Sequence, residues 1–419
     1  MLQSHRLASV TGMRPRAETA GEAVDDRVGE ETGERRRQWA ATMAGTTSAD
    51  GVCHAHASPG PAVFAEGAAG DSLSVQPAPT GVLLDRSARE EAEDRVLAAG
   101  ATRAVGAGRR DRAEEADQFR TCFERDRDRI LHSNSFRRLA GKTQVFVFPA
   151  DHQRTRLTHA LEVAQVATAI ARSCRLNVEL TEAIALGHDC GHGPGGHASE
   201  DALSPYVPGG FDHAPWGADI ALAPLNLCQE TLDGVRNHSW SRPAPTTPEG
   251  EVVSWADRIA YVCHDFEDAV AAGVVDVSAL PDLVKGRTGT RRSTQLGAFI
   301  NAVVDTVART GRIGMDEEHA EALAQFRAVN YERIYMRPAS LAQAESVIAV
   351  LRALVEHLAD RPALLPRADE ACVTAGGPEA MALAVEWVAG MTDRFAFRTA
   401  VAELGWDPDR LPRSSWTVY

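Results

Sequence analysis

With 419 residues the chain has room for two or three domains, or one large domain with tails, and its 44 basic and 58 acidic side chains give a formal charge of −14. That balance disfavours nucleic acid as a partner, since such binders need a basic face, and any phosphate-handling site must neutralise its ligand locally, with a few Arg or Lys residues or a metal. The seven cysteines form no C-x-x-C pair, no apolar run approaches the ~18 residues of a membrane span and the N-terminus has no continuous apolar leader, so a cytoplasmic protein with no membrane partner is expected.

Residues 1–115 are rich in Ala, Gly, Arg, Glu, Ser and Pro and poor in large apolar side chains. Such a segment buries too little surface to offset the entropy of ordering it, and a disordered, low-complexity N-terminal extension is expected there. One short helix is predicted within it, from Asp85 as cap to Ala99. From Gln118 charged and apolar residues mix at helical spacing, and a β-prone run follows at Gln144–Phe148. The next stretch, from Arg154, repeats apolar residues every three or four positions, and His159 falls on that row with Val163, Val166, Ala167, Ile170 and Cys174. A second helical run places Leu180, Ile184, Gly187 and His188 on one face. It ends in His188, Asp189, His192, His197 and Glu200, set among glycines. A loop-rich passage with several prolines leads to a helix over Glu251–Ala271, with Val253, Asp257, Ala260, Tyr261 and His264 along one side. Four or five further amphipathic helices are predicted, including Thr294–Thr310, Glu317–Tyr335, Leu341–Leu358 and Pro378–Leu404. The fold class is therefore all-α in the main: a helical core over residues 116–275 and a C-terminal helical region over 276–419 packed on it.

Single motifs decide little here. His264-Asp265 duplicates the His188-Asp189 dipeptide. Gly191 to Gly196 formally matches G-x-G-x-x-G, but it follows a helix instead of a strand, so the dinucleotide reading fails its structural condition. Gly141-Lys142-Thr143 resembles the end of a phosphate loop, with Phe136 where the first glycine must be. The combination carries more. Imidazoles and carboxylates suit divalent ions such as Mn, Fe, Zn, Co or Mg, and His159, His188, Asp189 and Asp257 come from three helices, as ligands in helical bundles usually do. Adjacent residues on a helix point ~100° apart, so His188 and Asp189 share one ion only near a helix end, which the glycines supply.

Five stretches resemble the HD-domain phosphohydrolases and, within them, the deoxynucleoside triphosphate triphosphohydrolases (the dGTPase-like family): RDRDRILHSNSFRRLAGKTQVF, RTRLTHALEVAQVA, EAIALGHDCGHGPGGHASE, LNLCQETLDGVRNH and ADRIAYVCHDFEDA. The resemblance implies a helical HD-domain bundle. It makes His159, His188, Asp189 and Asp257 the ligands of a divalent ion (Mn, Mg, Co or Fe), and gives His197 and Glu200 the positions of a catalytic histidine and its acidic partner. Three residues apart, these two would share a helix face, the carboxylate orienting the imidazole. His192, in the same catalytic group, and His213 match positions that contact phosphate. By the same resemblance Gln144, Tyr261 and Asp265 would sense the sugar, and Arg156 and Arg258 would hold phosphate; independently of the resemblance, Lys142 would join the two arginines in offsetting the charges of a triphosphate. A dNTP substrate and a homo-oligomer are implied.

The implied reaction is hydrolysis of dGTP or several dNTPs to deoxynucleoside and tripolyphosphate. A nucleotidase or cyclic-nucleotide phosphodiesterase of the same superfamily is the alternative, as is a nucleotide-binding regulator with little turnover. Two departures bear on the choice. Relatives usually carry Pro-Phe-Gly-His where this chain has Pro194-Gly195-Gly196-His197, and losing the aromatic wedge is expected to leave a more flexible loop under His197. After His213 the family's Asn and Gln are replaced by Ala214-Pro215-Trp216-Gly217.

Overall fold

The computed structural model describes residues 84–149, 152–366 and 373–412, with a few positions before residue 55. Among the latter, Thr46–Thr47 pairs antiparallel with Cys53–His54, within a unit of its own that ends at Val82. Most of the expected disordered extension lies outside the described residues.

Helix α1, Arg86–Val96, starts where predicted: the Asp85 side chain accepts a hydrogen bond from the Ala88 N–H at 2.9 Å, satisfying one of the donors a helix start leaves open. The boundary expected at residue 115 is corrected, because the chain joins the core some thirty residues earlier. Ala101 and Ala104 are buried in the main apolar cluster. The Ala98 N–H donates to the Arg175 carbonyl at 2.7 Å, Thr102 donates to buried Glu249 through N–H and hydroxyl at 3.0 and 2.7 Å, and Arg110 pairs with buried Asp126 at 2.7 Å. Small side chains and carboxylates from elsewhere in the sequence do this work, and composition averaged over the segment does not register them.

Helix α2, Cys122–His132, opens with a reciprocal cap between Thr121 and Glu124. Helices α3 (Arg156–Ser173), α4 (Val178–Gly187), α5 (Gln229–Asn237) and α6 (Pro248–Ala271) complete the bundle, with α4 packed against α2, α3, α5 and α6. Their shared interior contains Ile130, Val163, Ile170, Ile184, Val235 and Ile259, all fully buried. The face of α3 that carries His159 is thus the face that meets α4 and α6.

Helices α7 (Arg292–Thr310) and α8 (Glu317–Asn330) extend this cluster through Phe299, Val303 and Phe326. The predicted helix to Tyr335 is completed by a wider π-turn over Tyr331–Tyr335. Helix α9, Pro338–Asp360, builds a second apolar cluster with α10 (Pro378–Ala389) and α11 (Asp393–Leu404). The single helix expected over Pro378–Leu404 is two, because Thr392 caps a new start on the Phe395 N–H. By length and composition α9 is apolar enough to cross a membrane, contrary to the sequence reading; its row Val347, Val350, Leu351, Leu354 and Leu358 is buried in that second cluster.

The β-prone run Gln144–Phe148 is not a strand. It is a series of bends with a single bridge, Thr143 to Thr155. A strand needs a neighbour to satisfy its backbone, and Gln144–Phe148 has no paired neighbour among the described residues.

Candidate active site

Helix α3 carries His159 inward, α6 carries Asp257, and His188 and Asp189 sit where α4 gives way to a turn. His159 Nε2 lies 3.1 Å from Asp257 Oδ1. His188 Nε2 lies 3.5 Å from Asp189 Oδ1 and 3.7 Å from Asp257 Oδ1. The other nitrogen of His188, Nδ1, is 2.7 Å from the Ala185 carbonyl, which can only accept. In the neutral ring the proton therefore sits on Nδ1, and the Nε2 lone pair points at the carboxylates. That Nε2 is buried without a hydrogen-bond partner among the described residues. Ligand atoms of His159, His188 and Asp257 fall within 4.8 Å of one another, and so do those of His188, Asp189 and His238. A buried, acceptor-only nitrogen facing two carboxylates and a second imidazole is a donor set that fits a divalent cation. Burial alone would raise both carboxyls; the His159 hydrogen bond holds Asp257, and the Arg156 charge holds Asp189, well below the usual carboxylate range.

The turn after α4 is packed too closely at Gly191 to admit a side chain there. A Cβ on Gly191 would stand 2.0 Å from the His213 carbonyl oxygen and 2.3 Å from the Gly217 nitrogen. Beyond it, His192 Nε2 lies 3.1 Å from Asp189 Oδ1, and Asp189 Oδ2 accepts from Arg156 Nη1 at 2.8 Å. Lys142 does not face this space. Its buried ammonium donates to the His192 and Ala389 carbonyls, so its expected phosphate role is corrected to a structural tie.

The loop expected to be slack is pinned. The Gly195 N–H donates to Asp393 Oδ1 at 2.8 Å, while Asp393 Oδ2 accepts from the Thr143 N–H and hydroxyl at 3.0 and 2.5 Å. At φ +74° Gly195 also lies against Val347, whose Cγ1 would be 2.5 Å from an added Cβ. No aromatic wedge fits there, because Val347 of α9 already occupies the space.

Glu200 does not pair with His197. Its Oε1 sits 2.5 Å from His213 Nδ1 and accepts the His213 backbone N–H at 3.2 Å. Their three-residue spacing does not pair them, because His197 precedes the short helix Ala198–Leu203 instead of lying within it, and His213 arrives from a separate turn. His197 makes no hydrogen bond among the described residues and stands exposed at the cavity wall. His213 stacks on His192, ring centroids 3.7 Å apart, and its Nε2 is 3.2 Å from Nε2 of His238. Burial works against charge on His213, yet the Glu200 hydrogen bond raises it above the ordinary imidazole range, while His213 draws Glu200, against its own burial, down to about 2. His238, at the end of α5, was not singled out in the sequence although it closes the LNLCQETLDGVRNH stretch. It is buried, its Nδ1 donates to the Val235 carbonyl at 2.8 Å, and its ring meets His188 edge-on at 5.0 Å. Burial and the neighbouring His188 push it down to about 3.

A cavity of about 500 Å³ opens over this cluster. Gln144, Arg156, His213, Arg258, Tyr261 and Asp265 all line it. Gln144 Oε1 and Arg156 Nε and Nη2 are buried there without hydrogen-bond partners among the described residues. The Tyr261 hydroxyl accepts from Arg327 Nε at 2.9 Å. Asp265, pushed up to about 7 by burial, accepts from the Tyr335 hydroxyl at 2.5 Å. Arg327 and Tyr335 come from the C-terminal half and carried no signal of their own. Neither did Trp240, over whose ring the Arg258 guanidinium lies at 3.5 Å.

Residues 156–262 match the HD domain family, and residues 313–401 match the phosphohydrolase-associated domain. A deoxyguanosinetriphosphate triphosphohydrolase-like protein of Caldanaerobacter subterraneus subsp. tengcongensis is 38% identical over 318 residues, which cover 74% of this chain and 93% of the relative. Proteins of the same name from Clostridium perfringens (strain SM101) and Syntrophus aciditrophicus are 38% and 34% identical, covering 68% and 73% of this chain and 87% and 93% of their own lengths.

Proposed function

The chain belongs to the HD-domain phosphohydrolases, among the deoxyguanosinetriphosphate triphosphohydrolase-like proteins, and on that premise we propose that it hydrolyses deoxynucleoside triphosphates to deoxynucleoside and tripolyphosphate. The observation that supports this reading best is the joining of two elements in one cavity: a His/Asp cluster that fits a divalent ion, and two arginines with guanidinium nitrogens free of carboxylates. In a protein of net negative charge, such local cations are what a polyphosphate needs.

His159, His188, Asp189 and Asp257 would hold Mn, Mg, Co or Fe, and a divalent ion there supplies Lewis acidity towards a phosphoryl oxygen and lowers the pKa of water. Arg156, ordered by Asp189, directs its remaining N–H groups at the phosphates, and Arg258 does so from the opposite helix. Water attacks the α-phosphorus as the bond to the 5′-oxygen breaks, so one proton leaves the water and one reaches the sugar oxygen. His197, with no hydrogen-bond partner among the described residues, is the group placed to move a proton at the cavity wall, while Glu200 holds the His213 ring against the phosphate side. Tyr261 and Asp265 form the wall for the sugar, where a close tyrosine excludes a 2′-hydroxyl by contact.

The test is chromatography of the products from each dNTP and NTP with Mn, Mg, Co and Fe, beside the Asp189→Ala variant. Tripolyphosphate from dNTPs alone supports the proposal. Orthophosphate from monophosphates, or opening of a cyclic nucleotide, makes the protein a different phosphohydrolase. Saturable dNTP binding without products makes it a regulator.

A further inference from the structure

Several buried or half-buried arginines of this fold are held by carboxylates, and Arg258 is not. Arg154 is bound by Glu162 and Glu267 at 2.8 Å each and by Asp268, Arg110 by Asp126, and Arg156 by Asp189. Arg258 makes no ion pair among the described residues, and its Nε is buried with no acceptor. Its guanidinium instead lies flat over Trp240, with Cζ 3.5 Å from the ring centroid. The Trp240 ring is fixed in turn: its Nε1–H donates to the Ser254 carbonyl at 3.2 Å, and it meets Trp255 edge-to-face at 4.8 Å. Ser254, Trp255 and Arg258 are all on α6, so the indole docks on the helix that carries Asp257 and supports the next residue. Trp240 also lines the cavity.

A carboxylate under Arg258 would order the guanidinium equally well but would cancel its charge. An aromatic face orders it while leaving the full positive charge for a ligand. We propose that Trp240 is a positioning residue that holds Arg258, un-neutralised, for the phosphates of the substrate. This rests on the nucleotide reading above, since it needs a polyanion in the cavity, but not on which bond is cut.

The test is a double-mutant cycle on Trp240→Leu and Arg258→Ala in the full chain. Binding of dGTP and of tripolyphosphate is followed by calorimetry, and KM and kcat are measured where turnover exists. Leucine fills much of the space without a π face, and Trp240→Phe restores one. Trp240→Leu should weaken binding about two- to thirty-fold, the span of a cation–π contact. It should raise KM more than it lowers kcat, and it should add nothing once Arg258 is alanine. Trp240→Phe should recover most of the loss, and Trp240→Glu should bind worse than Trp240→Leu despite offering Arg258 a partner. Equal losses from Trp240→Leu in both backgrounds, or no loss, overturn the proposal. Coupling in tripolyphosphate binding without any dNTP hydrolysis would sink the reaction assignment and leave this one standing; hydrolysis without coupling would do the reverse.

Discussion

Replacing Glu200 by Gln keeps its shape and an acceptor oxygen but removes the charge that faces His213. The carboxylate receives two donors, the His213 ring at 2.5 Å and its backbone N–H at 3.2 Å. A hydrogen bond to a charged group contributes about 1.5–3 kcal/mol, roughly 10- to 150-fold in a rate or binding constant. Gln retains the weaker backbone contact, so the ring contact decides the loss, and kcat/KM should fall by about 10²-fold. Glu200 stands outside the groups formed with His159 and His188, so metal content, measured by elemental analysis, should not change. A double-mutant cycle locates the partner. If Glu200 acts through His213, Glu200→Gln should cost little more in a His213→Ala background, whereas with His197→Ala the losses should add. Additivity with His213 together with strong coupling to His197 would refute the structural assignment and restore the pairing expected from the spacing.

Asp189→Ala should abolish metal binding and turnover together, because it removes both the carboxylate beside His188 and the partner of Arg156; retained stoichiometric metal would exclude Asp189 from the centre. Deleting residues 84–115 should lower the melting temperature sharply or prevent folding, since it strips Thr102 from buried Glu249 and Arg110 from buried Asp126, whereas deletion of 1–83 should leave the melt and the hydrolysis unchanged. Asp265 is raised to about 7 by burial, so in metal-free protein it favours the fold fully below the unfolded value near 4 and loses that contribution as pH rises through about 7. Urea titrations of wild type and Asp265→Asn should therefore diverge between these limits, on the order of a few kcal/mol in favour of the variant at the upper end; parallel curves would show that Asp265 is not buried as described.

What was legible in the sequence is what periodicity and local order encode. His159 on an apolar row, His188-Asp189 at a glycine-rich helix end and Asp257 on the inner side of a long helix all follow from residue spacing, and the structure brings them together. What was not legible depends on which turn arrives beside which. His197 and Glu200 look like a helical pair until the helix proves to begin after His197. His238 and Trp240 sit in a turn whose neighbours are set by α4 and α6. The segment from 84 to 115 is poor in large apolar residues, yet two alanines and a few buried carboxylates hold it. The run at Gln144–Phe148 has the composition of a strand and no paired neighbour among the described residues.

The tie at Lys142 bears on how this protein can be divided. One ammonium joins the loop of His192 to the end of α10, and Asp393 at the start of α11 grips both Thr143 and Gly195. The stretch that matches the HD domain stops at residue 262, so the clamp on its own chemistry is supplied from some 130 residues downstream. An excised 156–262 fragment would keep the ligands in its sequence and lose the frame that aims them; the two family segments are one machine written in two places.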